Sequence, residues 1–207
     1  LEELAKAVGP NGKAIGLDTS QDQLKQANEK CALYDNASTL LGFANKINLE
    51  KNSCDAVASA QTFEYIEDVD ESIEEVSRIL KPSSIFVNIS ILWDYYKFYG
   101  AEDNLNNLIQ DTFKAHCFHQ MLPTTLSGRL KKFGFKQLKH KPLPVFITTT
   151  DDNSPAKYAA EVMAQFAIQK GVSIDKVKQW QNQLKLAEDQ GRFAYTNLPL
   201  LTYGYLS

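Results

Sequence analysis

The stretch that decides the fold is Val8-Gly9-Pro10-Asn11-Gly12-Lys13-Ala14-Ile15-Gly16-Leu17-Asp18-Thr19-Ser20. Its four turn-forming residues end an amphipathic helix over 1–8. The apolar run that follows predicts a short strand ending at Asp18. Ser20 is suited to cap a next helix that runs to about Cys31. A helix, a tight turn, a strand and a second helix in close succession predict an α/β fold.

The same alternation continues up to residue 92. Ile85–Leu92 is almost unbroken in apolar residues, which is typical of a parallel strand covered on both faces. Successive βα steps predict a doubly wound, mostly parallel sheet with right-handed crossovers. The expected elements of this part are strands near Thr39–Phe43 and at 56–58, a helix at Asp70–Leu80 and the strand Ile85–Leu92.

The second half of the chain is richer in helices. Its aromatic-rich start at Trp93–Gly100 precedes a polar helix at 103–115. The further expected elements are helices at Leu122–Phe133, Pro155–Lys170 and Ser173–Asp189, and strands at Phe135–His140 and Leu198–Leu206.

Composition narrows the class of protein. The chain is 43% hydrophobic and 23% charged, as in ordinary globular domains, and its net charge of −3 gives nucleic-acid binding no electrostatic support. No apolar run approaches the roughly 20 residues of a membrane span, and no signal peptide is expected. Three scattered cysteines favour free thiols in a reducing cytoplasm and argue against a disulfide framework or a zinc site. Oligomeric state is left open.

Two polar segments follow predicted strands, where open α/β sheets bind ligands. A carboxylate at the tip of the strand ending in Asp18 can accept hydrogen bonds from both hydroxyls of a ribose. The alternative is that Asp18 only starts the turn into the helix capped by Ser20. The second segment, Asp55–Asp68, contains Gln61 and Tyr65 in the loop after a strand.

Together with Arg78-Ile79-Leu80-Lys81-Pro82-Ser83-Ser84, these segments resemble the class I, Rossmann-like S-adenosylmethionine-dependent methyltransferase family in its small-molecule branch. In that family a Gly-Pro-x-Gly turn leads to a strand ending in Asp and then Ser. A later strand ends in Gly-Asp-Ala, here Gly42-Phe43-Ala44, before the segment reaching Cys54-Asp55. An Arg-x-Leu-Lys-Pro-Gly-Gly turn follows. The resemblance implies S-adenosylmethionine as cofactor and a small-molecule acceptor.

The resemblance also implies a domain plan and a set of site residues. It implies one domain over 1–207: a cofactor-binding half at 1–92, the rest of the core at 93–143 and 198–207 with an antiparallel last strand, and a helical insertion or lid at 144–190. The implied cofactor-binding residues are Asp18, Thr19, Gln23, Ala44, Asn45 and Gln61. The implied acceptor-side residues are Tyr65, Trp93, Tyr96 and His119, with Tyr65 as the catalytic candidate and no metal. His116 is the less favoured of the two late histidines.

Four features depart from the family pattern. The glycine-rich loop and the strand before it fall ahead of Leu1, outside the sequence. Phe43 stands where the family has the Asp that meets the adenine amino group, so that the backbone N–H of Ala44 and the side chain of Asn45 are left to serve the adenine edge. Tyr65 stands where the family often has His, and Ser83-Ser84 replaces Gly-Gly.

Two alternatives follow from these departures. A methyltransferase-like domain without activity, kept as a binding or scaffold domain, is favoured by Phe43 and the absent loop. A nicotinamide-dependent oxidoreductase would also use an acidic strand tip such as Asp18. The Leu-Lys-Pro turn and the antiparallel last strand argue against that second alternative.

Overall fold

The computed structural model describes all 207 residues, which divide into two compact units. The first unit comprises Leu1–Val57, Asp68–Ile85 and Leu206–Ser207. The second comprises Ala58–Glu67 and Phe86–Tyr205.

Seven helices and nine strands alternate along the chain. The helices are α1 Glu2–Val8, α2 Gln21–Lys30, α3 Val69–Ile79, α4 Asp103–Phe113, α5 Leu122–Lys132, α6 Pro155–Gln169 and α7 Ile174–Asp189. The strands are β1 Ala14–Asp18, β2 Ala37–Leu41, β3 Cys54–Ala60, β4 Leu80–Ile91, β5 Lys97–Tyr99, β6 Phe135–Pro142, β7 Val145–Ile147, β8 Ala194–Asn197 and β9 Pro199–Leu206. Single 3-10 turns lie at Phe63–Tyr65, Trp93–Tyr95 and Lys114–His116.

The strands form three sheets. β1 and β2 pair in parallel, β3-β4-β9-β6 form a four-stranded sheet in that order, and β5-β8-β7 form an antiparallel three-stranded sheet. The last strand, β9, therefore takes an inner position between β4 and β6. The mixed α/β architecture predicted from the sequence is confirmed.

The helix starts follow from local capping chemistry. The Ser20 hydroxyl accepts a hydrogen bond from the Gln23 N–H, which confirms Ser20 as the predicted N-cap of α2. Asp68 caps α3 by accepting from the N–H groups of Asp70 and Glu71. A side chain that pairs one of the free N–H groups at a helix start stabilises the helix by about 1 kcal/mol.

Several predicted boundaries differ from the structure, among them those of β2 and β4. β2 ends at Leu41 and not near Phe43. β4 begins directly after α3, at Leu80, whereas the sequence predicts a turn at 81–84 before the strand. Pro82 stops the helix as expected, but the chain remains extended apart from Ser83, whose φ of 66° lies in the left-handed region. Ser83 is the position at which the family pattern has glycine.

Each unit has its own apolar core. In the first unit, α3 buries Ile73, Val76 and Ile79. In the second, α4, α6 and α7 bury a cluster that includes Phe98 and Trp180. None of the seven helices combines the length and the apolarity needed to cross a bilayer. The division of the domain into a cofactor-binding half at 1–92 and an insertion at 144–190 stays a prediction.

Candidate functional site

In the first unit, β1 delivers Asp18 to the carboxyl edge of a parallel strand pair. Asp18 is exposed, and its Oδ1 accepts a hydrogen bond of 2.8 Å from the Ser20 N–H. Oδ2 has no hydrogen-bond partner in the protein. The carboxylate therefore holds the turn into α2 with one oxygen and offers the other to a ligand, so the two roles considered for Asp18 are compatible.

The loop Phe43–Asn45 lies next to Asp18. Asp18 is opposite Leu41 in the register of β1 and β2, and the Asp18 carbonyl accepts a hydrogen bond of 3.0 Å from the Gly42 N–H. Phe43 is 66% exposed. The predicted residues Asp18, Ala44 and Asn45 are thus brought to one edge of the β1-β2 pair.

Helix α3 fixes the position of this loop. The Asn45 side-chain amide donates a hydrogen bond of 2.9 Å to Glu71, which leaves its carbonyl oxygen free. The Glu75 carboxylate accepts from the Ile47 N–H and forms an ion pair of 2.7 Å with Arg78. That pairing lowers the pKa of Glu75. Since Asn45 can still accept and the Ala44 N–H makes no hydrogen bond, the loop presents one donor and one acceptor.

Thr19 and Gln23, the remaining predicted cofactor residues of this unit, are both exposed. Gln23 lies in an open hollow of about 220 Å³ that Leu1, Ala27 and Lys30 also line. A larger hollow, of about 340 Å³, is lined only by side chains of α7 and contains no predicted site residue. Neither is an enclosed ligand pocket.

In the second unit, Gln61 follows β3 in a conformation that is uncommon for a residue other than glycine. Its φ is 49°, and its N–H donates a hydrogen bond of 2.8 Å to the Ile89 carbonyl. The side chain is exposed and has no partner in the protein. Left-handed backbone at a non-glycine residue concentrates at functional positions, which is in line with the prediction for Gln61.

Glu64, next to Tyr65, holds this loop from inside. It is 0% exposed, and its carboxylate accepts hydrogen bonds from the Ile91 N–H at 3.2 Å and the Ser90 hydroxyl at 3.1 Å. Its main-chain carbonyl accepts from the N–H groups of Phe118 and His119. Burial raises the pKa of Glu64. Glu64 therefore positions both the loop of Tyr65 and the segment that carries the late histidines.

Tyr65 is 41% exposed, and its hydroxyl has no hydrogen-bond partner in the protein. Burial of its inner part, with a smaller contribution from Cys117 and Glu64, raises the pKa of Tyr65 well above its ordinary value. The hydroxyl therefore stays protonated around neutral pH. As a catalytic candidate Tyr65 can donate a hydrogen bond, but it cannot serve as a base.

Trp93 and Tyr96 lie in one aromatic cluster of the second unit. Their ring centroids are 4.8 Å apart, and Tyr96 also contacts Tyr195 at 5.2 Å. Burial raises the pKa of Tyr96. The Trp93 indole Nε1 is buried and has no hydrogen-bond partner. Of the two predicted acceptor-side rings, Trp93 is the one that keeps an unused polar group.

The two late histidines, His116 and His119, have different surroundings. His119, the preferred candidate, forms a hydrogen bond of 3.0 Å between Nε2 and the Glu67 carbonyl, which ties down a loop. His116 instead lies among aromatic rings, and its Nε2 is buried without a partner. Nothing in the local sequence distinguishes the two, because the rings around His116 include Trp93 and Phe166, from distant parts of the chain.

No cluster of three or more His, Cys, Asp or Glu side chains could hold a metal ion.

A methyltransferase domain family model matches residues 1–191. The chain belongs to this family. The family depends on S-adenosylmethionine, in agreement with the cofactor expected from the sequence resemblance.

Curated relatives match the chain over less than half of its length. A demethylmenaquinone methyltransferase of Staphylococcus aureus is 34% identical over 84 residues, which are 41% of this chain and 35% of the relative. An uncharacterized 37.1 kDa protein in a transposon of Streptomyces fradiae is 31% identical over 94 residues, 45% of this chain and 27% of the relative. The matched region thus spans about a third of each relative.

Solved structures share the fold at low sequence identity. The YcgJ protein of Bacillus subtilis has a TM-score of 0.64 at 16% identity and covers 99% of this chain and 87% of its own. A phosphoethanolamine N-methyltransferase of Haemonchus contortus, in complex with phosphomonomethylethanolamine and S-adenosylhomocysteine, has a TM-score of 0.54 at 17% identity, over 94% of this chain and 44% of its own. These similarities confirm the Rossmann-like fold expected from the sequence.

Proposed function

We propose that this chain is a catalytic domain that transfers a methyl group from S-adenosylmethionine to a small-molecule acceptor. The observation that carries the proposal is the Asp18 carboxylate, exposed at the carboxyl edge of β1 and β2 with one oxygen anchored and one free. Open α/β sheets bind nucleotides at such an edge. Family membership supplies the reaction class.

The polar groups of the first unit fit the adenosine part of the cofactor. The free Asp18 oxygen can accept from a ribose hydroxyl. The unpaired Ala44 N–H and the Asn45 carbonyl oxygen offer a donor and an acceptor to the adenine edge, and the exposed ring of Phe43 offers a surface for stacking. In this proposal Thr19 and Gln23 also belong to the cofactor side. Gln61 is assigned to the cofactor on the family resemblance, with its left-handed backbone in support.

The acceptor side is assigned to the second unit. When bound, S-adenosylmethionine supplies a methyl group already activated on a sulfonium sulfur, so much of the acceleration can come from alignment. In this proposal Tyr65 donates a hydrogen bond that orients the acceptor, and Trp93 and Tyr96 provide apolar contacts. His119 is kept as a residue that holds the loop. A small-molecule acceptor is in line with the names of the Staphylococcus aureus and Haemonchus contortus proteins.

The partners and the location are part of the same proposal. A net charge of −3 gives no support to a nucleic-acid substrate. Three unpaired cysteines are in line with a cytoplasmic location.

The test is calorimetric titration of S-adenosylhomocysteine into the wild-type chain and the Asp18→Asn variant. Asparagine keeps the oxygen that accepts from the Ser20 N–H and replaces the free carboxylate oxygen by an amide. We expect the affinity to fall about 10- to 100-fold, as for the loss of a hydrogen bond to a charged group. Asp22→Ala, an exposed acidic position in the first turn of α2, is the matched control and should bind as the wild type does.

Two results would contradict the proposal. Equal affinity of the wild type and Asp18→Asn removes Asp18 from the site. No binding of S-adenosylhomocysteine by the folded wild-type chain overturns the enzymatic assignment and favours the inactive, scaffold alternative. Tyr65→Phe is a separate test: we expect slower methyl transfer with unchanged cofactor affinity, and unchanged transfer would leave Tyr65 a structural role.

A further inference from the structure

One segment of the second unit, residues 112–150, is strongly one-sided in charge. It contains seven Lys and Arg side chains and all three histidines of the chain, and it contains no Asp or Glu. The 25 acidic residues all lie outside it, and the chain as a whole has a net charge of −3. Because charges attract partners locally, this segment can recruit a negatively charged partner that the net charge alone would disfavour.

Three lysines of this segment are exposed on β6, the outer strand of its sheet. They are Lys136, Lys139 and Lys141, and none of them has an ion-pair or hydrogen-bond partner for its ammonium group. Lysines elsewhere, such as Lys81 and Lys157, form ion pairs with aspartates. The lysines of β6 therefore keep their full charge for a group outside the chain.

Contacts with β9 establish the direction and the faces of β6. The Leu143 N–H donates a hydrogen bond of 2.9 Å to the Pro199 carbonyl, and His140 Nδ1 lies 3.0 Å from the Thr202 hydroxyl oxygen. Residue numbers that rise along β6 thus fall along β9, so the two strands are antiparallel. His140 Nε2 also lies 2.8 Å from the hydroxyl of Ser127, which belongs to α5. The face that carries His140 and Thr202 is therefore the one next to α5.

The opposite face of β6 and β9 combines lysine with tyrosine. Successive side chains of a strand point to opposite faces, so Lys139 and Lys141 lie on this face, and Tyr203 and Tyr205 lie beside them. Tyr205 is 37% exposed, and Tyr203 is half-buried. A tyrosine ring is apolar and ends in a hydroxyl, so this face offers cations next to amphipathic rings.

An exposed phenylalanine follows this face along the chain. Phe146 of β7 is 71% exposed, while its neighbours Val145 and Ile147 pack against the apolar core of the second unit. The Phe146 ring therefore points away from that core. Phe146 follows Lys141 by five residues, so their Cα atoms are at most about 18 Å apart. One extended partner surface can contact both side chains.

We propose that these side chains dock the chain on a phospholipid bilayer that contains anionic lipids. The docking surface, called the lysine face, consists of Lys136, Lys139, Lys141, Tyr205 and Phe146. Lysine ammonium groups are attracted by the negative charge of such a bilayer, and tyrosine rings are enriched at the depth of the lipid headgroups. The exposed Phe146 ring can bury its apolar area at the headgroup boundary. This docking goes beyond the proposed methyl transfer and does not depend on it.

Three other roles of the lysine face fit these observations less well. Lysine is depleted and arginine enriched at interfaces between proteins, and the three cations of this face are all lysines. Stacking of nucleic-acid bases needs open aromatic faces, whereas Tyr203 is half-buried. Lysines on an edge strand also prevent pairing with another strand, but that role does not require the exposed Phe146.

The test is co-sedimentation of the chain with large unilamellar vesicles. One set of vesicles contains phosphatidylcholine and phosphatidylglycerol in a two-to-one ratio, and the other contains phosphatidylcholine alone. We expect binding to the anionic vesicles and little binding to the neutral ones. Added sodium chloride should weaken the binding, because it screens the attraction between the lysines and the bilayer.

Variants of the lysine face test which residues carry the binding. The double variant Lys139→Gln/Lys141→Gln should lower the partition coefficient about 30-fold, at about fivefold for each lysine near the bilayer. Lys176→Gln/Lys178→Gln is the matched control, because these exposed lysines of α7 also lack an ion-pair partner and their loss changes the net charge equally. Phe146→Ala should weaken binding about tenfold by removing apolar area.

Three results would overturn the inference. The first is no binding of the folded wild-type chain to anionic vesicles. The second is an equal loss of binding in the two double variants, since net charge and not the lysine face would then be responsible. The third is binding to a single-stranded oligonucleotide while anionic vesicles are not bound. Thermal unfolding of each variant checks that it is folded. The vesicle assay contains no cofactor, so its outcome is separate from that of the S-adenosylhomocysteine titration.

Discussion

Replacing Glu64 with glutamine tests two effects of the buried carboxyl on the stability of the fold. Its hydrogen bonds stabilise the Tyr65 loop, and its negative charge, once ionised, lowers the free energy of unfolding. Glu64 is 0% exposed and accepts from the Ile91 N–H and the Ser90 hydroxyl, and no cationic side chain is paired with it. A buried carboxylate without a cationic partner costs free energy above its ordinary pKa. Glutamine retains an acceptor for Ile91 and carries no charge.

The expected magnitude follows from these contacts. Glu64→Gln keeps the bond to the Ile91 N–H, so its free energy of unfolding at pH 5 should lie within about 1 kcal/mol of the wild type. Glu64→Leu leaves the same N–H buried without an acceptor. The leucine variant should therefore be about 1–3 kcal/mol less stable than the glutamine variant.

The pH dependence has a defined sign. Burial raises the pKa of Glu64 above its ordinary value of 4.5, so the folded chain keeps this proton to a higher pH than the unfolded chain. The stability that Glu64 contributes is fully present below pH 4.5 and is lost as the pH rises through the folded pKa. Relative to the wild type, Glu64→Gln should therefore gain stability with rising pH.

Urea unfolding of wild type and both variants at pH 4.5, 6 and 7.5 measures these differences. Other titrating groups are common to the three proteins and cancel in the comparison. A wild-type minus glutamine difference that is constant with pH would refute the reasoning about the buried charge. Equal stability of the glutamine and leucine variants would refute the role of the Ile91 hydrogen bond.

Further predictions concern the backbone and are read by the same urea unfolding. Ser83→Gly should gain about 1 kcal/mol because Ser83 has a φ of 66°, and a loss would contradict that conformation. Gly100→Ala should lose about 2–4 kcal/mol, since φ is 117° and the added Cβ would lie 2.5 Å from that of Ala187. Gly128→Ala, in α5 with open space around it, should gain about 0.5–1 kcal/mol instead. Gln61→Gly should stabilise the fold by about 1 kcal/mol and weaken S-adenosylhomocysteine binding; undiminished binding would make Gln61 structural.

Local chemistry explains the part of the fold that the sequence predicted. The cap at Ser20 and the strand end at Asp18 depend on neighbouring residues, and both stand in the structure as predicted. The antiparallel sheet of β5, β7 and β8 was not predicted. Strands of three or four residues are too short for a period-two pattern, and Lys97 pairs with Thr196, almost one hundred positions away.

The candidate site also has residues whose placement depends on local sequence and residues whose surroundings come from distant parts of the chain. Asp18, Ala44 and Asn45 were predictable because strand ends and short loops bring them to one edge. The preference for His119 over His116 stays a prediction, and what distinguishes the two histidines in the structure is that His116 lies among aromatic rings. Those rings include Phe166, fifty positions further along the chain. A sequence pattern over a few residues carries no such signal.

The backbone conformation of Gln61 bears on its proposed role in binding the cofactor. Four residues other than glycine have positive φ: Asn52, Gln61, Ser83 and Gln137. Asparagine tolerates this region, and Ser83 occupies a glycine position of the family pattern. The Gln61 N–H donates a hydrogen bond to the Ile89 carbonyl. This main-chain bond forms the turn after β3 and does not depend on the side chain at position 61. Glycine would serve that turn with less strain, and the Gln61 side chain contacts no polar group of the protein. Gln137, with a φ of 53°, is also an exposed glutamine in this region, so the conformation alone does not identify a ligand. The proposal that Gln61 contacts the cofactor is what predicts a gain in stability together with a loss of cofactor binding for Gln61→Gly.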